Sequence, residues 1–157
     1  MFMHGGFMHI LGNMLYLWIF GNNIEDVLGR FWFIIFYLLC GFAASAAQVV
    51  MSWGSSIPGI GASGAIAGVL AAYLLFFPTA RVDTLIFLGL FARIAALPAV
   101  LVLGLWFVLQ LFNGALSFGI SESGGVAWFA HIGGFVAGLI LCLPWIAKAR
   151  RKRLRQW

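Results

Sequence analysis

The stretch that decides the fold is residues 61–77, which read GASGAIAGVLAAYLLFF and contain no charged side chain. A Gly/Ser/Pro-rich segment precedes it and Pro78 follows it, and both are turn signals. As a helix, residues 63–77 would be about 22 Å long, whereas the hydrocarbon core of a bilayer is about 30 Å thick. The stretch therefore predicts a short membrane helix whose first residue, Ser63, lies below one membrane surface. The loop before it must then dip into the protein.

The composition of the whole chain excludes a soluble protein. Of its 157 residues, 64% are hydrophobic and 8% are charged, and the mean hydropathy is +1.07. A soluble domain has about 45–50% apolar and about 25% charged residues. Because one crossing needs about 20 residues, the length admits four or five spans. The composition predicts an all-α polytopic membrane protein.

Five apolar stretches are expected to cross the membrane within a domain of residues 1–147, and they are residues 7–24, 31–51, 63–77, 98–113 and 126–147. The first is expected to end in a polar turn at 22–26. The fourth begins with Pro98, which suits the first turn of a helix. Residues 84–93 are also apolar but too short to cross, so they are expected to lie at the interface under the bundle.

The basic residues are concentrated at the C-terminus. Six of the nine Lys and Arg fall in residues 148–157, which are predicted to be a basic cytoplasmic tail. Alternation of five spans puts the other three, Arg30, Arg81 and Arg93, on the same side. The opposite links, 52–62 and 114–125, contain no Lys or Arg. This distribution follows the positive-inside rule, so the tail indicates a membrane anchor and no nucleic-acid partner.

Four polar side chains lie in apolar spans at a similar predicted depth, and they are His9, Asn13, Ser63 and His131. A serine hydroxyl becomes a good nucleophile when a base, usually histidine, takes its proton. The oxyanion that then develops needs hydrogen-bond donors. Asn13, His9 and the backbone N–H of Ser63 can supply them. Because no acidic residue lies in these spans, the residues predict a Ser63–His131 dyad.

Glycine pairs flank both members of this dyad. Gly64 and Gly68 follow the serine, and Gly134 and Gly138 follow the histidine. Small residues four apart on membrane helices let two backbones approach closely. The spacing predicts that the third and fifth spans cross there and bring the hydroxyl and the imidazole within hydrogen-bond reach.

The same polar residues are also compatible with roles outside catalysis. A serine among small residues is often a packing residue, and a lone histidine is often a hydrogen-bonding or cofactor residue. Three histidines can also bind zinc or haem, although zinc sites usually add Cys or carboxylate ligands. The one acidic residue on the outer side is Glu122, and Cys40 and Cys142 are interpreted as packing residues. No metal or cofactor is expected, but a small transporter or a haem-binding bundle stays an alternative.

Three motifs, in this order, resemble those of the rhomboid family of intramembrane serine proteases. Residues 4–13 (HGGFMHILGN) resemble its H-x-x-x-x-H-x-x-x-N, residues 61–64 (GASG) its G-x-S-G, and residues 130–138 (AHIGGFVAG) its A-H-x-x-G-x-x-x-G. Glu25 also matches a common family position. The resemblance extends from about residue 4 to residue 147.

The resemblance implies a rhomboid-like helical bundle with five of the family's six core transmembrane helices. It implies that Ser63 is the nucleophile and His131 the base. The implied oxyanion hole consists of His9, Asn13 and the Ser63 backbone N–H and is lined by Gly61, while His4 braces the outer loop. Many relatives carry an aromatic residue four positions after the serine, where this chain has Ala67. Phe135 or Trp128 is expected to support His131 instead.

The implied activity is endopeptidase cleavage of single-span membrane proteins in the lipid bilayer, without a cofactor. The expected location is a prokaryotic plasma (inner) membrane, and the sequence leaves the oligomeric state open. A non-catalytic rhomboid-like protein that binds membrane clients is the alternative. We also expect the chain to lack its natural beginning, because alternation places Met1 outside without a signal peptide. Another apolar span of about 20 residues and a long outer loop are expected upstream.

Overall fold

A computed structural model of the chain describes residues 1–54, 59–89, 91–117 and 126–153. The elements, in chain order, are α1 (Phe7–Tyr16), a π-helical turn (Leu17–Gly21), α2 (Asn22–Leu28), α3 (Arg30–Met51), α4 (Ser63–Phe76), β1 (Arg81–Leu88), β2 (Phe91–Pro98), α5 (Ala99–Ser117), α6 (Trp128–Leu141), a 3-10 turn (Leu143–Trp145) and α7 (Ile146–Arg153). Parts of three predicted segments lie outside the described residues, namely 55–58 of the dipping loop, 118–125 with Glu122, and 154–157 of the tail.

α4 is the central helix. Residues 64–73 are all buried, on every face of the helix. A helix that is apolar all round has no face suited to water, so it belongs in the interior of a bundle. α3 and α6 pack against α4 and against each other. The stretch that opens the predicted site therefore sits at the middle of the fold.

Where α4 and α6 cross, their backbones contact each other directly. A Cβ atom on Gly134 would overlap the carbonyl oxygen of Gly64, and a Cβ on Gly138 would overlap the carbonyl oxygen of Gly68. Helices approach this closely only where both surfaces lack side chains. The two glycine pairs thus face each other along the contact.

The first helical stretch continues past the polar turn that the sequence predicts at 22–26. The backbone stays in the right-handed helical region at both ends of the π-helical turn, and Ile24 and Val27 are fully buried. The polar residues between them lie on the outer face of a continuing helix, so the prediction that the helix ends in a polar turn at 22–26 is wrong. The stretch ends before Gly29, whose φ of +89° favours glycine.

Residues 81–98 form an antiparallel β-hairpin, so the all-α prediction is wrong in this segment. Val82, Thr84 and Ile86 are half-buried, whereas the residues between them are exposed. This period of two, with β-branched side chains on the half-buried face, suits a strand. Gly89, with φ +64°, lies between the strands.

The hairpin changes two further expectations. The short apolar piece predicted at 84–93 is the tip of the hairpin. Pro98 ends β2, and α5 begins one residue later at Ala99. The Ala99 N–H donates to the carbonyl of Ala80 (2.7 Å), which ties the start of α5 to the segment that follows α4.

Two described helices, α3 and α5, are long and apolar enough to cross a membrane. α6 and the helical segment Leu143–Arg151, which are bent by 43° at their junction, would together make a third. α4 is a shorter apolar helix of 14 residues. Helices thus occupy each of the five apolar stretches, and the number of crossings stays a prediction.

Candidate active site

Ser63 is the first residue of α4, and its hydroxyl reaches the first turn of α6. Its Oγ lies 2.8 Å from Nε2 of His131. The imidazole is buried, with 8% of its residue surface exposed. The backbone contact between Gly64 and Gly134 lies immediately beside both side chains. The helix crossing therefore sets the distance between hydroxyl and imidazole.

The other ring nitrogen of His131 contacts α5. Nδ1 lies 2.8 Å from Oε1 of Gln110, a residue that is 6% exposed. The amide nitrogen of Gln110 donates to the backbone carbonyl of Trp106 (3.3 Å). Because a carbonyl oxygen only accepts, this bond turns the Gln110 oxygen toward the imidazole, where it too can only accept. In the tautomer that carries its proton on Nδ1, the ring donates to Gln110, and Nε2 is free to accept the hydroxyl proton of Ser63.

His9 and Asn13 close around the backbone of Gly61, two residues before Ser63. The Gly5 N–H donates to Nδ1 of His9 (3.2 Å), so the ring proton of His9 is on Nε2. A Cβ on Gly61 would lie 2.7 Å from that Nε2 and 3.8 Å from Nδ2 of Asn13. The φ of Gly61 is +111°, a conformation that favours glycine.

Two kinds of hydrogen-bond donor lie near the backbone of Gly61. Nδ2 of Asn13 is buried and has no acceptor among the described residues. Leaving a buried donor unpaired costs about 1–3 kcal/mol of free energy. An acceptor that binds to this donor during a reaction recovers a similar amount. The N–H of Ser63 belongs to the first turn of α4, where backbone donors have no acceptor within the helix. These groups suit an oxygen that becomes negative during a reaction.

A cavity of about 1090 Å³ opens onto these groups. Ser63, His131, His9 and Asn13 all contribute to its wall, together with residues of α3. Small-molecule pockets usually measure about 300–1,000 Å³, so this cavity has room for a short segment of extended peptide.

His4 lies behind the cavity wall. Its ring contacts the ring of His9 edge-on, with centroids 5.2 Å apart and an interplanar angle of 77°. Both of its ring nitrogens are buried without a hydrogen-bond partner in the described part of the chain. The contact packs His4 against the ring of His9.

Aromatic rings of α5 and α6 surround the imidazole. The Trp106 ring centroid is 5.7 Å from that of His131, and Trp128 meets the imidazole edge-on at 6.4 Å. Ala67 is fully buried in a cluster against which Trp106 packs. Phe135 stacks on an aromatic ring of α5 at 3.9 Å. Trp106 and Trp128 thus contact the imidazole, and Trp106 also packs against the cluster that contains Ala67.

Reasoning from the sequence missed two glutamines. Oε1 of Gln110 contacts Nδ1 of His131. Oε1 of Gln48, in α3, accepts a hydrogen bond from the backbone N–H of Ala130 (3.1 Å). Gln48 also donates to the hydroxyl of Ser52 (2.8 Å), so it caps the first turn of α6 just before the imidazole. Each glutamine interrupts an apolar run, which is the signal that could have found it, because membrane amides hydrogen-bond across helices.

The remaining candidates lie away from the cavity. Cys40 and Cys142 are buried free thiols in the hydrophobic core. Glu25 pairs with Arg30 at 3.3 Å, where the arginine is largely exposed. Among the described residues, no three His, Cys, Asp or Glu side chains are grouped as metal ligands.

Comparison with known proteins shows a match to the Rhomboid domain family model over residues 1–148. Rhomboid protease GluP of Bacillus subtilis is 32% identical over 142 residues, which cover 90% of this chain and 25% of the relative. RHOMBOID-like protein 4 of Arabidopsis thaliana is 31% identical over 139 residues, 88% of this chain and 31% of the relative.

A mitochondrial protein is also similar. The human presenilin-associated rhomboid-like protein is 37% identical over 92 residues, which cover 57% of this chain and 24% of the relative. The matched part of the chain spans about a quarter to a third of the length of these curated relatives.

Proposed function

The chain belongs to the rhomboid family, as its motifs predict, and on that premise we propose that it is an intramembrane serine endopeptidase. The observation that carries the proposal is the 2.8 Å contact between Oγ of Ser63 and Nε2 of His131. It lies in a cavity whose wall also holds Nδ2 of Asn13, which has no hydrogen-bond partner among the described residues.

In the proposed first step, His131 takes the hydroxyl proton on Nε2 while Oγ of Ser63 attacks the carbonyl carbon of a peptide bond. The carbonyl oxygen becomes negative and accepts hydrogen bonds from the Ser63 backbone N–H, Nδ2 of Asn13 and Nε2 of His9. His131 then gives its proton to the nitrogen of the leaving segment. The peptide C–N bond breaks, and the remaining segment is bound to Ser63 as an ester.

In the second step, water repeats this chemistry on the ester. His131 takes a proton from the water, and the hydroxide oxygen attacks the ester carbonyl. The same donors hold the second oxyanion, and His131 then returns the proton to Oγ of Ser63. The products are a new carboxyl terminus and a new amino terminus. One pair of side chains thus performs both halves of the hydrolysis.

The proposed substrates are single-span membrane proteins cut within or beside the transmembrane segment. A helix hides its peptide carbonyls in hydrogen bonds, so the segment must unwind before Ser63 can attack. Small and helix-breaking residues near the cut site favour this unwinding. We infer that the enzyme lies in a prokaryotic plasma membrane with its C-terminus in the cytoplasm, since its basic residues share one predicted side.

The test is labelling with a fluorophosphonate, which reacts with an activated serine, beside cleavage of a model transmembrane substrate. Ser63→Ala should abolish both signals, and His131→Ala should reduce both to below about 10% of the parent. Ser45→Ala is the matched control. Its hydroxyl also lines the cavity but is bonded within α3, to the carbonyl of Gly41 at 3.0 Å, so both signals should persist.

Three different results would each favour an alternative function. A folded parent that captures membrane substrates but neither cuts them nor reacts with the probe would be a non-catalytic client-binding protein. An absorbing cofactor in the purified protein, retained in Ser63→Ala, would favour a haem-binding bundle. Inhibition by a chelator that zinc reverses would favour a metal-dependent protease.

A further inference from the structure

Gln110 is a buried amide that takes no part in the proposed proton transfers. It lies in α5, and its Oε1 contacts the imidazole of His131 at 2.8 Å, on the edge opposite Ser63. Gln110 is not among the described residues that line the cavity. Its hydrogen bond to the site is made to the imidazole.

The orientation of this amide is fixed from two sides. Its nitrogen donates to the Trp106 carbonyl within α5, and its oxygen faces Nδ1 of His131. Turning the amide over would place its oxygen against the Trp106 carbonyl, so two acceptors would face each other in a buried place. The amide therefore presents an acceptor to the ring and selects the form of the imidazole that carries its proton on Nδ1.

We propose that Gln110 is a positioning residue that holds His131 in the Nδ1–H tautomer through its Oε1. In that tautomer Nε2 has a free lone pair aimed at the Ser63 hydroxyl. In the other tautomer Nε2 carries a proton and could not accept one from serine. After His131 becomes protonated, Nδ1 still donates to Gln110, so one bond orients the ring throughout the cycle. The role rests on the proposed protease function.

The chain has no carboxylate to take this role within the helices around the imidazole. Its four acidic residues are Glu25 and Asp26 in α2, Asp83 in β1, and Glu122 outside the described residues. A neutral amide supplies the acceptor without placing an unpaired charge in the apolar interior, where charge is costly. Gln110 on α5 therefore completes an acceptor–imidazole–hydroxyl chain across three helices.

The experiment compares three variants with the parent in fluorophosphonate labelling and substrate cleavage. Gln110→Met keeps the length of the side chain but has no comparable acceptor. Gln110→Glu, as a neutral carboxyl group, keeps an oxygen for Nδ1–H and an O–H that can donate to the Trp106 carbonyl. Asn113→Leu is the matched control, because Asn113 is an amide one turn further along α5 that bonds within its own helix, to the Leu109 carbonyl at 2.8 Å. Thermal melting of each variant in detergent reports folding.

We expect Gln110→Met to lower kcat and the rate of labelling at least about tenfold. KM should change less than about twofold, because Gln110 does not line the cavity. Gln110→Glu should recover a substantial part of kcat, and Asn113→Leu should match the parent. If Gln110→Met retains the parental kcat, or if Gln110→Glu is as slow as Gln110→Met while both melt like the parent, the proposal is overturned.

The tautomer can be measured independently of activity. ¹⁵N chemical shifts of the three histidines in labelled protein, assigned with a His131→Gln variant, should show His131 with its proton on Nδ1. Gln110→Met should lose this preference. A parent that shows the tautomer but never labels at Ser63 would overturn the protease function while upholding the hydrogen bond. A parent that labels while His131 carries its proton on Nε2 would overturn the role of Gln110 alone.

Discussion

Gly61 is the residue whose replacement tests the donor cluster most directly. Its φ is +111°, and an added Cβ would lie 2.7 Å from Nε2 of His9. Gly61→Ala should therefore displace that ring or the backbone before Ser63 and lower kcat by about tenfold or more. Gly59→Ala is the control, since a Cβ there meets no atom of the described residues within 4 Å. Equal cleavage rates for the two variants would contradict the proposed oxyanion hole.

Asn13 provides a second measurement of the same hole. Its buried Nδ2 has no acceptor among the described residues, so its value should appear only when an oxyanion forms. Asn13→Ala should lower kcat by about 10²–10³, with little effect on KM. Asn22→Ala removes an exposed amide from the same helical stretch and should leave the rate unchanged. Loss of substrate binding instead of kcat would assign Asn13 to binding.

For individual residues, the sequence identifies the polar side chains of the candidate site better than it identifies their hydrogen-bond partners. Polar side chains in apolar runs are rare, so His9, Asn13, Ser63 and His131 stand out without a structure. Gln110 makes its bond to a residue 21 positions away on another helix. Its place in α5 does not reveal that contact, because the rotation of one helix against the next is a property of packing.

At the scale of elements, the contact between α4 and α6 should respond strongly to side-chain size. A Cβ on Gly138 would overlap the backbone of Gly68, whereas a Cβ on Gly104 of α5 meets nothing within 4 Å. Gly138→Leu should lower stability by about 1–3 kcal/mol or more and reduce cleavage with it. Gly104→Leu should do neither. Coincident melting curves for Gly138→Leu and the parent would show that the close crossing is not needed.

The positions of the helices were predictable to within a few residues, because long apolar runs bounded by Gly and Pro leave few alternatives. The β-hairpin could not be predicted in the same way. Residues 81–98 are largely apolar, although they include Arg81, Asp83 and Arg93. The alternation at Val82, Thr84 and Ile86 covers only a few positions. For such short runs, pairing with a neighbouring strand decides between strand and helix, and one segment alone cannot reveal its partner.

For the whole molecule, the distribution of basic residues predicts that the hairpin and the start of α7 face the same side of the membrane. Asp83→Cys and Ala147→Cys, both at exposed positions, should react with an impermeant maleimide in inside-out vesicles. Trp53→Cys, at a position 84% exposed, should react in right-side-out vesicles. The natural thiols, Cys40 and Cys142, are fully buried and give little background. Labelling of Asp83→Cys and Trp53→Cys from one side would overturn the predicted orientation.

The unpaired edges of the hairpin limit where it can lie relative to a membrane. Among the described residues, β1 and β2 pair only with each other, so each strand has an outer edge of N–H and C=O groups that hydrocarbon cannot satisfy. We therefore expect the hairpin to lie among headgroups and water, together with the nearby end of α4, to which the Ala99–Ala80 hydrogen bond links it. The 14 residues of α4 are about 21 Å long, so this placement would leave Ser63 about 9 Å short of the far edge of a core about 30 Å thick. On the proposed protease function, we expect the water that hydrolyses the ester to reach Ser63 through the cavity above it.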